Sequence, residues 1–487
     1  MRVAVYRENG LSSFSCEALM PGISFFFEPK SVAVIGASNK EGKFGYYLLR
    51  NLLTLGYKGR VYAVNVKGGC VQGLKAYRSI LEVPDEVDVA IVVVPADRVP
   101  QVARECAEKG VRGLVVVSSG FKEAGEEGKR LERELVEVAR KAGMRVIGPN
   151  TTGILNTSNM FTTSFVPLEG LRRGGLSFIA QTGLFAGATL SWMLTTQPFG
   201  VAKVCGLGNK CDVSEWEALE YLGEDEETKV IAAYLESVSD GRRFLEAARK
   251  ATARKPVIVL KAGRTEAGAR AALTHTGSLA GDDRVFSAAC RQAGVVRASS
   301  MGEMFSIAKG FLMQPLPEGP RVAVVSMTGA GGVLASDAVS TAGLEVAELS
   351  EETRRRIGRV MPSWARVGLF VDIEPLYEAV GAECYEVALR EVLQDPGVDA
   401  CMVILLCMGG WTMPLIEERR LRRSFLEPSR ESGKPIVVYV HGDKESSELA
   451  ASRLESMGVP AYGSIEECTR VLEAMYFYSR YLRRHKL

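Results

Sequence analysis

The sequence predicts an α/β fold arranged as three doubly wound domains. Three observations carry this. A short β-branched run, a Gly-containing turn and a helical pattern follow one another three times, at SVAVIGAS (31–38), GGLSFIAQTGLFAG (174–187) and RVAVVSMTGAGG (321–332). Each would open a parallel α/β unit. Short apolar runs without polar alternation follow each opening, the pattern of strands buried on both faces. The segment 314–320 holds Pro315, Pro317 and Pro320 and reads as a linker between units.

In the first unit the buried-type runs are VYAVN (61–65), VAIVVV (89–94), GLVVVSS (113–119) and MRVIG (144–148), alternating with helical stretches such as 98–109 and 126–142. In the second they are VAKVCGL, KVIAAYLE and PVIVLKAG, and in the third DACMVILLCM and KPIVVYV. The expected organisation is an extension without a clear element (1–24), then domains at 25–150, 151–312 and 313–487. Two uncharged stretches are read as core. The first, 174–202, contains Gln181, Thr182, Gly183, Gln197 and Pro198, which suits a strand, a polar turn and a buried helix. The second, 400–416, is short and broken by Gly409, Gly410 and Pro414. The opening MRVAVYRENGLSSFSC carries Arg7 and Glu8 and makes a poor signal peptide. A cytoplasmic protein without a membrane span is expected.

Composition narrows the function classes. Hydrophobic residues make up 47% and charged residues 24% of the 487, as in an ordinary globular chain. The net charge of +2 argues against a large nucleic-acid surface while leaving room for a local basic pocket. Ten cysteines without CxxC pairs show neither a disulfide frame nor a zinc site, which suits a reducing compartment. With only His275, His441 and His485, a His-rich metal site is excluded and no metal centre is expected. His441 reads as a loop residue and His485 as part of a solvated basic tail.

The first glycine-rich turn points to a nucleotide-like ligand. Gly36, Ala37 and Ser38 follow the opening strand, then Gly42, Lys43 and Gly45 lead into a helix. Glycines let backbone amides approach a phosphate, and a helix N-terminus favours negative charge. The spacing is not GxGxxG. The second strand ends in VYAVNVKGG, so Asn65 and Lys67 stand where an NAD site wants a carboxylate for the ribose hydroxyls. A lysine there suits a ribose phosphate, which coenzyme A carries at the 3′ position and NADP at the 2′ position. The plain alternative is a turn that only packs strand against helix.

His275 is the candidate phosphoryl acceptor. It lies in PVIVLKAGRTEAGARAALTHTGSLAGDD, read as a strand, a long Gly/Ala/Ser/Thr-rich loop and a helix from about Asp282. Ligands of such sheets bind beyond the carboxyl ends of strands, where this loop emerges. The turn Ala180-Gln181-Thr182-Gly183 sits between a strand and a helix, and its amides and the Thr182 hydroxyl could hold a phosphoryl dianion. Glu236 falls at the end of the run in KVIAAYLESVSDGRRF; a carboxylate bonded to one imidazole nitrogen makes the other the nucleophile. Against these stand a loop histidine with a local hydrogen bond, and a Glu236 paired with Arg242 or Arg243.

Taken together, KSVAVIGAS, GYKGRVYAVNVK, GFKEAGEEG, MRVIGPNTTGI, GLGNKCDV, YLESVSDGRRF and THTGSLAGDDRVF give the chain its resemblance to the α subunits of nucleoside-diphosphate-forming acyl-CoA synthetases, more distantly to succinyl-CoA synthetase. The resemblance implies a Rossmann-like CoA-binding domain followed by two flavodoxin-like domains. It implies an acid–CoA ligase (ADP-forming) that passes phosphate through an acyl phosphate and a phosphohistidine. It places His275 and Glu236 in catalysis, and Gln181, Thr182 and Gly183 on phosphate. It places Gly36, Ala37, Ser38, Lys43, Asn65, Lys67, Pro95 and Asn150 on CoA. No segment resembles an ATP-grasp domain, so a β subunit of that type, carrying ADP or ATP with Mg in an α2β2 assembly, is the implied partner. The chain departs from the family pattern in AQTG for SQSG, in Thr274 before the histidine, and in Asp372 without a preceding Asn-Pro. A CoA-binding regulatory protein without catalysis is the alternative; an NADP oxidoreductase lacks an accompanying acid–base set.

Overall fold

The computed structural model describes residues 22–168, 170–183, 188–276 and 281–486, with the backbone alone for 272–276. Three sheets follow one another along the chain. The first holds β1 (Ser31–Ile35), β2 (Arg60–Val64), β3 (Gly69–Val71), β4 (Leu74–Tyr77), β5 (Val89–Val92), β6 (Gly113–Val116) and β7 (Arg145–Ile147), ordered β3-β4-β2-β1-β5-β6-β7. All its pairings are parallel except the β3/β4 hairpin. The order reverses between β1 and β5, the Rossmann arrangement with its ligand crevice at that switch point.

The second sheet holds β8 (Ile154–Asn156), β9 (Phe161–Thr162), β10 (Arg173–Ala180), β11 (Val201–Gly206), β12 (Val230–Leu235), β13 (Val257–Lys261) and β14 (Val296–Ala298). Its order is β14-β13-β12-β10-β11-β8-β9. The parallel part is the flavodoxin-like order, with its switch point between β10 and β12. The third holds β15 (Arg321–Ser326), β16 (Glu345–Val346), β17 (Val371–Asp372), β18 (Ala400–Cys407), β19 (Ile436–Gly442) and β20 (Ala461–Tyr462), ordered β16-β15-β18-β19-β20 with β17 beside β15. It repeats the flavodoxin-like order. The central strands β1, β5, β6 and β11 are buried along their whole length, as largely apolar runs require, and Lys203 of β11 is buried in an ion pair with Asp225 (2.6 Å).

Helix ends follow local chemistry. The helix Val99–Lys109 closes on Gly110 at φ +78°, a left-handed position that glycine takes without strain. Ser214 and Glu217 form a capping box at the start of Glu215–Glu224. The expected helix at 126–142 is Glu126–Lys141, with Glu126 and Glu127 in its first turn and Arg140 and Lys141 in its last, matching the helix dipole. In 174–202 the chain forms β10 and the helix Ala188–Thr196. No helix among the described residues is long and apolar enough to cross a membrane.

The sheets are joined by packing. Phe27 stacks on Tyr221 (4.3 Å), and its carbonyl accepts Asn156 Nδ2 and Asn159 Nδ2 (both 3.0 Å), tying residues ahead of β1 to the second sheet. Arg145, at the base of β7, is buried and bonds Asp212 (2.9 Å) and Glu217 (2.7 Å). Removing one partner of such a buried set costs roughly 3–5 kcal/mol. The long C-terminal helix Ile465–His485 shares one apolar core with the second and third sheets, and Tyr478 donates to the Thr252 carbonyl (2.8 Å).

Two expectations need correction, and a third falls largely outside the described residues. The stretch before Asp282 is not one long loop: Glu266–Thr276 is helical, because EAGARAAL is rich in strong helix formers. His275 therefore lies in the last turn of a helix, and its side chain lies outside the described residues. His441 belongs to β19 rather than to the loop after it, with its Nδ1 2.8 Å from the Tyr439 hydroxyl. The N-terminal extension lies outside the described residues up to 21, after which Ser24–Phe26 forms a 3-10 turn with Phe25 and Phe26 buried.

Candidate active site

The turns beyond the carboxyl ends of the strands carry most of the predicted site residues at two switch points, while His275 lies on the helix Glu266–Thr276. In the first, Gly36 follows β1 at φ +101°, and a Cβ there would stand 2.2 Å from the Val93 carbonyl oxygen. A Cβ on Gly45 would stand 2.1 Å from the Gly36 oxygen. So the turn does pack strand against helix, and it also brings the backbone of 36–38 to the switch point beside 93–95. Asn65 Nδ2 donates to the Ala37 carbonyl (2.7 Å), and Asn65 Oδ1 accepts the Lys67 N–H (2.9 Å). Ser38 Oγ accepts the Lys40 N–H (2.9 Å). Lys43 caps the helix Phe44–Thr54; Lys43 and Lys67 are both exposed on the rim. Pro95 starts the 3-10 turn Ala96–Arg98. Asn150, at φ +60°, donates its N–H to the Ser118 carbonyl (2.9 Å), and Ser118 Oγ donates to the Val94 carbonyl. Close backbone approach plus two exposed cations fits a ligand that carries phosphates. Gln72, which the sequence did not single out, braces this loop by donating to the Ser38 and Tyr46 carbonyls (both 3.0 Å).

The second crevice lies between β10 and β12. Gln181 follows β10 and is buried; its N–H donates to the Tyr234 carbonyl (3.1 Å). Its Oε1 accepts the N–H groups of Glu236 (2.8 Å) and Ser237 (3.0 Å), and its Nε2 donates to Ser237 Oγ (2.9 Å). Gln181 thus reaches across to the backbone of Glu236 and Ser237, which ties the 181–183 turn to the end of β12. Among the described residues, no heavy atom lies within 4 Å of a Cβ added at Gly183. Glu236 is 6% exposed, and its buried Oε2 has no hydrogen-bond partner among the described residues. Its Oε1 lies 3.5 Å from the Tyr234 hydroxyl, and burial, then the Glu236 charge, pushes the Tyr234 phenol up to about 12. Of the expected competitors, Arg243 is engaged elsewhere: it pairs with Asp240 (3.8 Å) and lies over the Trp216 ring (4.9 Å).

Two buried lysines, not predicted from the sequence, complete this crevice. Lys261, the last residue of β13, donates to the Glu236 carbonyl (2.7 Å). Lys210, in the loop after β11, donates to the Ser237 carbonyl and to Glu215 Oε2 (both 2.7 Å). Burial holds both ammonium groups below the ordinary lysine range. The residue before Lys210 bonds to residues that follow the first sheet's β6: Asn209 Nδ2 donates to Glu123 (2.6 Å) and Glu132 (3.0 Å), and Lys122 Nζ donates to the Asn209 carbonyl. Burial raises the Glu123 carboxyl, but bonds from Asn209, Gly120 and Phe121 outweigh it and leave that group lowered. For Lys122, Glu123, Asn209 and Lys210 the only sequence signal was their place inside the GFKEAGEEG and GLGNKCDV motifs; Lys261 ends the apolar run of PVIVLKAG. Among the described residues no cluster of His, Cys, Asp and Glu could hold a metal ion.

In the third sheet Thr328 Oγ1 accepts the Gly331 N–H (3.1 Å) at the start of the helix Gly329–Thr341. Asp372 caps the helix Ile373–Val380, accepting the Glu374 N–H (3.2 Å).

Comparison with known proteins matches this layout. A CoA binding domain matches residues 30–157, a succinyl-CoA ligase like flavodoxin domain 173–311 and a Ligase-CoA domain 322–485. The acetate–CoA ligase [ADP-forming] I subunit alpha of Pyrococcus furiosus is 41% identical over 94% of this chain and 98% of its own length. The acetate–CoA ligase [ADP-forming] II of Archaeoglobus fulgidus is 44% identical over 95% of this chain and 68% of its own length. Among solved structures, the dinucleotide forming acetyl-coenzyme A synthetase 1 of Ca. Korarchaeum cryptofilum, in complex with phosphate and ADP, superposes with a TM-score of 0.86 at 34% identity, covering 95% of this chain and 99% of that one. The chain belongs to the family of ADP-forming acetate–CoA ligase α subunits.

Proposed function

We propose that the chain is the acyl- and phosphoryl-transferring subunit of an acid–CoA ligase (ADP-forming), and that Glu236 orients His275 for phosphoryl transfer. The observation that carries the site assignment is the unpartnered, buried Oε2 of Glu236 at the β10/β12 switch point, beside the 181–183 turn. A carboxylate oxygen buried without a donor is costly. An imidazole N–H is the donor the chemistry calls for.

The steps balance as follows. A phosphate oxygen attacks the thioester carbon of acyl-CoA held at the first crevice. The C–S bond breaks, CoA leaves as thiolate and takes a proton, and an acyl phosphate remains. The 181–183 turn holds its phosphoryl group through the Thr182 hydroxyl and the Gly183 amide. An imidazole nitrogen of His275 attacks phosphorus, the bond to the acyl oxygen breaks, and the carboxylate leaves. Glu236 keeps the other ring nitrogen protonated and stabilises the positive ring. The phosphoryl group then passes to the terminal phosphate of ADP, which regenerates the histidine. In this reading ADP with its Mg sits on an ATP-grasp β subunit in an α2β2 assembly, in the cytoplasm. Acetate, the acid in the names of the relatives above, is the first substrate to test.

The test uses the full chain, acetyl-CoA and labelled phosphate. Base-stable, acid-labile label is expected on the wild type and not on His275→Asn. Equal labelling of the two overturns the relay. Tight CoA binding with no label in either, across several acyl-CoAs and with a partner subunit present, favours the regulatory alternative.

A further inference from the structure

We propose that Lys210 and Lys261 are positioning residues for phosphoryl transfer, fixing the Glu236–Ser237 backbone so that the free carboxylate oxygen of Glu236 stands in one place. This rests on the reading of Glu236 as the partner of His275.

Strand β12 ends at Leu235, so the two peptides that follow have left the sheet ladder. Buried backbone groups must find partners, and beyond a strand these are ordinarily turn carbonyls or water. Here side chains from three other strand ends supply all of them. Gln181, after β10, accepts both N–H groups. Lys261, ending β13, takes the Glu236 carbonyl, and Lys210, after β11, takes the Ser237 carbonyl. The constraint extends further, because Glu215, which holds Lys210, also accepts the N–H (2.9 Å) and hydroxyl (3.1 Å) of Ser239.

Two ammonium groups are an expensive way to close a strand, since each must be taken out of water. Neutral donors would satisfy two carbonyls as well. What the lysines add is stiffness from several elements at once, plus positive charge behind a carboxylate that has no cation of its own in contact. A carboxylate that must orient an imidazole is sensitive to placement: a shift of about 1 Å in a catalytic geometry can cost on the order of 100-fold in rate. Lys210 also turns through φ +54°, and one dipeptide bonds both ways: Asn209 to Glu123 and Glu132, Lys210 to Glu215 and Ser237.

The test is a double-mutant cycle on phosphohistidine labelling of the full chain, with acetyl-CoA and labelled phosphate. Lys210→Met and Lys261→Met are each expected to slow labelling by about 100-fold, with CoA affinity unchanged. In a Glu236→Gln background the same lysine substitutions should cost little more, because they act through that carboxylate. A loss in that background as large as in the wild type overturns the proposal, as does normal labelling of both lysine variants. Should Lys261→Met fail to fold, the Lys210→Met cycle decides alone. The outcomes separate from the parent reading: equal labelling of His275→Asn and wild type removes the histidine relay itself, whereas an unlabelled His275→Asn beside normally labelled lysine variants removes this inference only.

Discussion

The side-chain oxygen of Gln181 accepts the backbone N–H of Glu236 at 2.8 Å, across the seam where the second sheet reverses its strand order. One residue of the 181–183 turn is thus bonded to the residue that carries the free carboxylate. The turn and the carboxylate cannot drift apart without breaking that bond.

Gln181→Ala tests this coupling. It leaves the N–H groups of Glu236 and Ser237 without an acceptor in a buried site. Each orphaned group costs about 1–3 kcal/mol, so a loss of roughly 2–6 kcal/mol is expected in denaturant unfolding, with slower phosphohistidine labelling. An unchanged midpoint with unchanged labelling would show that water replaces the amide and that the bond is incidental.

Gly36 and Gly42 make a contrasting pair in the first crevice. Both have positive φ, +101° and +86°, but a Cβ on Gly36 meets the Val93 carbonyl oxygen, while one on Gly42 meets nothing within 4 Å. Gly42→Ala should therefore cost only backbone strain, about 1 kcal/mol. Gly36→Ala must open the turn as well, with CoA affinity down by about tenfold or more. Isothermal titration with CoA compares them; equal effects would mean that steric closeness at Gly36 does not shape the ligand site.

Much of this frame is legible in the residues. Unbroken apolar runs such as VAIVVV and DACMVILLCM mark the central parallel strands, because strands covered on both faces show no polar alternation. The edge strands Phe161–Thr162, Glu345–Val346 and Ala461–Tyr462 are too short to show any period. The helix Glu266–Thr276 was hidden by Gly268 and by the Thr-His-Thr-Gly-Ser run at its end, which read as loop although its alanines favour helix. Glu236 stood out because a carboxylate closes an apolar run. Lys210 and Lys261 did not, since a lysine at a strand end reads as surface charge; only the three-dimensional arrangement shows both ammonium groups turned inward onto backbone carbonyls.

Asp399 supplies a pH-dependent term far from the chemistry. Its carboxylate accepts Arg321 Nε and Nη2 (both 2.8 Å) and the Arg321 N–H (3.0 Å) where β15 and β18 begin. Burial pushes this carboxyl up, but the arginine and backbone bonds outweigh it and leave the group lowered. A lowered carboxyl stabilises the fold at pH values above its unfolded pKa of about 4, and that stability fades as pH falls through the lower folded value. Asp399→Asn should therefore be less stable than the wild type at neutral pH, with the gap narrowing below about pH 4. A gap that stays constant from neutral pH down to pH 3 in thermal melts would contradict this.

Lys67 offers a direct check on which phosphate the first crevice reads. It follows Asn65, whose amide is fixed to the Ala37 carbonyl, so its exposed ammonium is anchored by backbone at the end of the second strand. In the proposed orientation that ammonium meets the 3′-phosphate of CoA. An exposed charge–phosphate contact is worth about 1 kcal/mol, roughly fivefold in Kd. Wild type should thus bind CoA about fivefold more tightly than dephospho-CoA, and Lys67→Ala should bind the two alike. Salt offers a second axis, because the Debye length falls from about 10 Å at 0.1 M to about 3 Å at 1 M. The wild-type preference should shrink over that range while the variant shows none to lose. If the variant keeps the full preference for CoA at low salt, the 3′-phosphate sits elsewhere, with Lys43 the next cation on the rim to replace.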